Sequence, residues 1–160
     1  MANKLKIGWF SFSCCEDSTI VFVELLNDHY QEWLPLIDFR HANVLKSRNE
    51  LSDIDVAFVE GAIANDRDEE KLKKIRSVSK RLVAIGSCAV KGNPSNQRND
   101  FNDEKKNRID PLIKLWNLNE KVKTLKECVQ VDDEVDGCPM NEETFLNVLT
   151  KYLKEFDVHA

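Results

Sequence analysis

No two cysteines in this sequence stand two residues apart. The five, Cys14, Cys15, Cys88, Cys128 and Cys138, include no CxxC, so the paired knuckles that usually build a zinc ribbon are missing. Basic residues are outnumbered, 23 Lys and Arg against 28 Asp and Glu, and a net charge of −5 offers no basic face to a nucleic acid. Nothing approaches the roughly 20 consecutive apolar residues that span a bilayer. The apolar part of the opening "MANKLKIGWF" ends too soon for a signal peptide. Glycine is scarce, five in 160, and "SCCEDST" contains none, so a glycine-rich phosphate cradle is not offered there. These absences lead us to expect a cytoplasmic chain without membrane insertion or nucleic-acid partner. In that compartment the cysteines are not expected to form a disulfide framework.

What is present reads as alternating strands and helices. "KLKIGWFSF" alternates Leu5, Ile7 and Trp9 and predicts a strand ending in Ser and Cys. From Ser18 to about Trp33, Ile20, Val23, Leu26, Tyr30 and Trp33 share a helical stripe, with Asp17 or Ser18 as the expected N-cap. "LPLIDFR" predicts a short strand, and "DIDVAFVEGA" a buried parallel one ending at Glu60-Gly61. "DRDEEKLKKIRSVSK" is acidic at its start and basic later, as a helix macrodipole favours. "RLVAIGSCAVKGN" predicts a strand from Leu82 to Ile85 that breaks into a Gly-Ser-Cys turn. Residues 93–108 are polar and aperiodic, hence a loop, with a short helix expected from Asp110 to Trp116. "CVQVDDEVDGCPM" reads as an extended segment and a turn. An amphipathic helix closes the chain from Asn141 to Phe156, carrying Phe145, Val148, Leu149 and Leu153. The order implies one α/β domain over residues 1–160, a flavodoxin-like parallel sheet with helices on both faces in three layers.

In such sheets ligands sit beyond the carboxyl ends of the strands. Cys14 and Cys15 follow the first strand, Glu60 ends the third, Cys88 follows the fourth, and Cys138 precedes the last helix. Four thiols are therefore expected at one edge, which leaves structural zinc or an iron–sulfur cluster. Dispersed ligands suit the separated corners of a cube, and the cluster is the favoured reading. Gly86, Gly92 and Gly137 would let backbone approach it, and the helix starting near Ser18 would aim its positive end there. Cys128, in "LKECVQV", has no motif and is expected to be a plain thiol. His29, His41 and His159 are scattered and are assigned to no metal. Trp9 and Phe12 could shield a cluster, although core packing accounts for them equally.

Taken in order, "VEGAIA", "AIGSCAVKGN" and "DGCPM", following a strand that ends in cysteine, resemble the small subunit of nickel–iron hydrogenases. The related iron–sulfur subunit of respiratory complex I shares the pattern, and the likeness covers residues 4 to about 150. The motifs around Val56 to Gly92 most resemble cytosolic multi-subunit hydrogenases. The resemblance implies a flavodoxin-like domain holding one proximal 4Fe–4S cluster beside the nickel–iron centre of a large-subunit partner. It also implies a further electron-transfer subunit, flavin or iron–sulfur, to pass electrons on. Cys88 matches the cysteine of G-x-C-x-x-x-G and Cys138 that of G-C-P. Glu60 matches the acid of the E-G motif, near the cluster and the partner interface. Glu16, in the first cysteine loop, could face the partner's active site or simply suit the helix dipole. The chain carries no residues for nickel, so it has no catalytic residue of its own.

Three positions depart from the hydrogenase pattern. Ser18 stands where the second cysteine of an opening C-x-x-C belongs, Asn93 replaces a glycine, and Met140 replaces a proline. The tandem Cys14-Cys15 instead resembles the complex I subunit, where both thiolates ligate, and the expected ligands are Cys14, Cys15, Cys88 and Cys138. The rival set uses Cys15 and Ser18, with an alkoxide as the poorer iron ligand. The alternative functions are a complex I-like oxidoreductase subunit and a metal-free flavodoxin-like module for a nucleotide or flavin.

Overall fold

The opening alternation does form a strand, β1, Leu5–Ser11. Four more follow: β2 Ile37–Ala42, β3 Ile54–Glu60, β4 Ser79–Ile85 and β5 Asp133–Val135. All pair in parallel, in the order β2-β1-β3-β4-β5, which is the flavodoxin-like order. The computed structural model describes residues 4–159. The first three residues of the opening run and Ala160 therefore lie outside the described residues, as do the outer limits of the expected 1–160 domain. Among the described residues no helix is long and apolar enough to cross a membrane.

Six helices connect and cover the strands: α1 Asp17–Asp28, α2 Tyr30–Trp33, α3 Asp66–Val78, α4 Gly86–Lys91, α5 Asp103–Leu115 and α6 Glu142–Glu155. Side chains of a strand alternate between faces, and the core divides accordingly. Trp9, Phe58, Val83 and Val135 pack with Phe22 and Leu25 of α1 and with Phe145, Leu149 and Tyr152 of α6. Phe10, Ala57, Val59 and Leu82 pack on the other side with Leu72 and Ile75 of α3 and with Ala89 and Val90 of α4. This is the expected three-layer α/β arrangement. Central β3 is buried along its whole length, and its one interior acid, Asp55, is satisfied by the Lys6 amide at 2.9 Å and the Lys80 ammonium at 2.7 Å.

Several local expectations need correction. The helix expected from Ser18 to Trp33 is broken at His29 into α1 and α2, and its N-cap is Glu16, not Asp17 or Ser18. The expected stripe is also rotated: Ile20 is 57% and Tyr30 54% exposed, while Ser18, Thr19, Phe22 and Leu25 face inward. Two hydroxyls win the inward face because each meets a buried polar partner, described below. The Gly-Ser-Cys segment is the first turn of α4 rather than a free turn. Gly92, at φ 80, ends α4 by donating its N–H to the Cys88 carbonyl at 3.0 Å. Gly92 thus stops a helix and does not line the thiol cleft. The loop expected over residues 93–108 contains a 3-10 turn, Gln97–Asp100, and the first half of α5. Asn102 caps α5 by accepting the Lys105 amide at 3.0 Å. Pro111 lies inside α5, where no residue is buried, so water can take the carbonyl that proline leaves unpaired.

Candidate metal centre

Register brings the site together. Ser11 pairs with Glu60, Glu60 with Ile85, and Ile85 with Val135, so four strands end in one row. Cys14, Cys88 and Cys138 each lie three residues beyond their own strand's place in that row. Cys14, Cys15, Cys88 and Cys138 all line one cleft, with Ser18, Glu60, Gly86 and Gly137 in its wall.

Each loop is held by backbone chemistry. The Phe12 amide donates to the Glu60 carbonyl at 2.9 Å, and Ser13 exchanges two bonds with Ala62 at 3.1 and 3.0 Å. Gly61, at φ +92, permits this approach, since a Cβ there would lie 2.8 Å from the Phe12 carbonyl carbon. The chain then bends at Cys14 and turns left-handed at Glu16, φ 64, a conformation uncommon outside glycine. Opposite, the Ser87 amide donates to the Gly137 carbonyl at 2.7 Å, and Lys91 pairs with Asp136. Gly137, at φ +123, would place a Cβ 2.4 Å from the Pro139 carbonyl oxygen. Gly137 is thus required by close backbone packing, while Gly86, at φ +79, would place a Cβ 2.9 Å from the Ser18 hydroxyl oxygen.

Two thiols lie deep and two at the rim. Cys88 is 7% exposed and packs with Ala62, Ala64, Val122 and the half-buried Cys14, whereas Cys15 and Cys138 are exposed. Burial, with the charge of Glu60 adding to it, pushes the Cys14 thiol up to about 12. Ionising this thiol therefore needs a cation to take the proton's place. Among the described residues no three His, Cys, Asp or Glu side chains gather closely enough to hold one metal ion. The four thiols line one cleft and arrive from three loops. An iron–sulfur cluster fits this donor set, soft sulfur with glycine backbone in the wall.

Glu60 also lines the cleft, as expected, and is 3% exposed. Its carboxylate accepts the Thr19 hydroxyl at 2.6 Å and the Ser18 amide at 3.1 Å. Burial raises its pKa, and those two donors oppose the shift. The Ser18 amide at the start of α1 is thus engaged by Glu60 rather than aimed at the thiols. Glu16 is exposed and does not line the cleft. Sequence reading missed Thr19, which also accepts the Trp9 indole N–H at 2.9 Å and so ties the core tryptophan to Glu60. It missed as well that the Ser18 hydroxyl accepts the buried Met140 amide at 3.2 Å. A polar pair on the inward face of α1 was the available signal.

The other candidates lie elsewhere. Cys128 packs against the face of the core that α3 and α4 cover and does not line the cleft. His29 stacks on Trp33, His41 meets the Trp9 carbonyl at 3.2 Å, and His159 pairs with Asp157. Trp9 belongs to the core, stacked on Phe22 at 4.2 Å.

The family model described as "NADH ubiquinone oxidoreductase, 20 Kd subunit" matches residues 14–152. The chain belongs to this family. It is 30% identical over 173 residues to a subunit of the F420-non-reducing hydrogenase of Methanothermobacter marburgensis, covering 96% of this chain and 55% of that one. It is 29% identical to sulfhydrogenase 2 subunit delta of Pyrococcus furiosus, covering 94% and 62%. The chain spans about half the length of the curated relatives it matches first. A chain of the NAD+-reducing [NiFe]-hydrogenase in the H2-reduced state superposes with a TM-score of 0.79 at 24% identity, covering 99% of this chain and 96% of that one. That likeness establishes the fold.

Proposed function

We propose that this chain is the electron-transfer small subunit of a nickel–iron hydrogenase. In this reading Cys14, Cys15, Cys88 and Cys138 hold one proximal 4Fe–4S cluster, and a large-subunit partner carries the nickel–iron site. The observation that carries the reading is the meeting of four thiols from three loops on one cleft at the carboxyl edge of the sheet. The relatives in Methanothermobacter marburgensis and Pyrococcus furiosus, both hydrogenase subunits by name, support the same assignment. When bound, such a cluster accepts and returns single electrons. The chain's own part is to hold it at the edge: Cys15 and Cys138 sit exposed at the rim, where a partner surface can approach within electron-tunnelling reach. A second electron-transfer subunit, flavin or iron–sulfur, completes the route, and the cytoplasm is the proposed compartment.

A complex I-like oxidoreductase subunit is the second reading. The adjacent Cys14 and Cys15 favour it, as does the description of the family itself. The metal-free nucleotide-binding alternative draws no support from the cleft, where Cys14, Cys15 and the Asp17 carboxylate stand where phosphate would need glycine amides. Purification without oxygen tests the cluster. The expected result is a brown protein with about four iron and four acid-labile sulfide per chain, together with a co-purifying large subunit. A colourless preparation carrying one zinc ion overturns it.

A further inference from the structure

Cys88 is the most deeply buried of the four thiols, and its neighbours Ala62, Ala64 and Val122 are apolar. An ionised sulfur at that position needs a donor. Among the described residues one side chain supplies it: the Ser95 hydroxyl lies 3.3 Å from Cys88 Sγ and 2.9 Å from the Ser13 carbonyl oxygen. Ser95 is half-buried, in the segment just past α4, and none of the sequence motifs includes it.

We propose that Ser95 is a positioning residue for the cluster's potential: its hydroxyl donates to the Cys88 thiolate and makes the bound cluster easier to reduce. The inference rests on the cluster reading above. A hydroxyl has one proton and here two acceptors. Beside a neutral thiol the Ser13 carbonyl, at 2.9 Å, is the better acceptor, because uncharged sulfur accepts only weakly. Once the sulfur is an anionic ligand, the charge-assisted bond is roughly twice as strong as a neutral one, and the proton turns toward Cys88. A donor to a ligating sulfur stabilises the reduced cluster, which carries one more negative charge, more than the oxidised one. Among the described residues no other ligand sulfur meets a side-chain hydroxyl; Cys14 and Cys15 meet the backbone amides of Glu16 and Asp17 instead. The Cys14 thiol itself donates to the Phe12 carbonyl, at 3.6 Å, a bond that ligation removes.

The experiment is an EPR-monitored redox titration of the chain in the complex with which it co-purifies, comparing wild type with Ser95→Ala, Ser95→Thr and Ser95→Val. The expected result is full iron content throughout, a midpoint potential shifted negative in Ser95→Ala and Ser95→Val, and an unshifted one in Ser95→Thr, which keeps the hydroxyl. An unshifted potential in Ser95→Ala overturns the proposal, as does an equal shift in Ser95→Thr. Loss of iron from both variants that lack the hydroxyl, with Ser95→Thr normal, assigns Ser95 a purely structural tie to Ser13 and overturns it too. Wild-type protein without iron is a separate result: it removes the cluster reading itself.

Discussion

Thr19→Val removes one oxygen from the interior and leaves the shape of the side chain almost unchanged. That oxygen accepts the Trp9 indole N–H at 2.9 Å and donates to Glu60 at 2.6 Å. Trp9 and Glu60 are each 3% exposed, so water cannot replace either bond. An orphaned buried donor costs about 1–3 kcal/mol, and a lost hydrogen bond to a charged group about 1.5–3 kcal/mol. The two share one atom and do not add fully, so the expected loss is about 2–4 kcal/mol. With a urea dependence of about 1–3 kcal/mol per molar, the unfolding midpoint should fall by roughly 1 M or more. Circular dichroism during a urea titration at pH 7 reads this directly. Thr19→Ser keeps the hydroxyl and gives up only a methyl group, so it should lose about 1 kcal/mol or less. A Thr19→Val protein within about 0.5 kcal/mol of wild type, or a Thr19→Ser protein equally weakened, refutes the reasoning.

Tandem ligation expects Cys14→Ala to lose or degrade the cluster, measured as iron per chain and by the visible spectrum, while Ser18→Ala keeps it; full iron in Cys14→Ala rules the tandem out. Because the Ser18 hydroxyl accepts the Met140 amide rather than capping α1, Ser18→Ala should still cost about 1–3 kcal/mol of stability in denaturant. Glu127 is held below the ordinary carboxylate range by the Thr124 amide and hydroxyl, at 2.6 and 2.8 Å. Its contribution is present above the unfolded glutamate value of about 4.3 and is lost as pH falls through the lower folded value. Glu127→Gln should therefore lose less stability than wild type between pH 5 and 3 in the same titration, and parallel curves for the two proteins count against this.

The sequence by itself determined the element types and the edge at which the thiols meet. Period-two alternation in "KLKIGWF" and the continuous apolar run of "DIDVAFV" permit little besides half-buried and buried strands, and both formed. The turns carrying Cys14, Cys88 and Cys138 then follow strand ends, and parallel strands place those ends together. Side-chain direction inside the helices was decided only by tertiary contact. Periodicity favoured Ile20 for the inward face of α1, yet Ser18 and Thr19 took it, because Met140, Trp9 and Glu60 present buried polar groups that require partners there. Glu16 and Gly92 moved for a related reason. One became the left-handed start of α1 and the other the end of α4, since a helix terminus depends on the backbone packed against it. The approach of Ser95 to Cys88 depends on a loop folding back over the sheet edge across 82 residues, from Ser95 to Ser13. Local pattern cannot register such a contact, because no periodicity links residues so far apart.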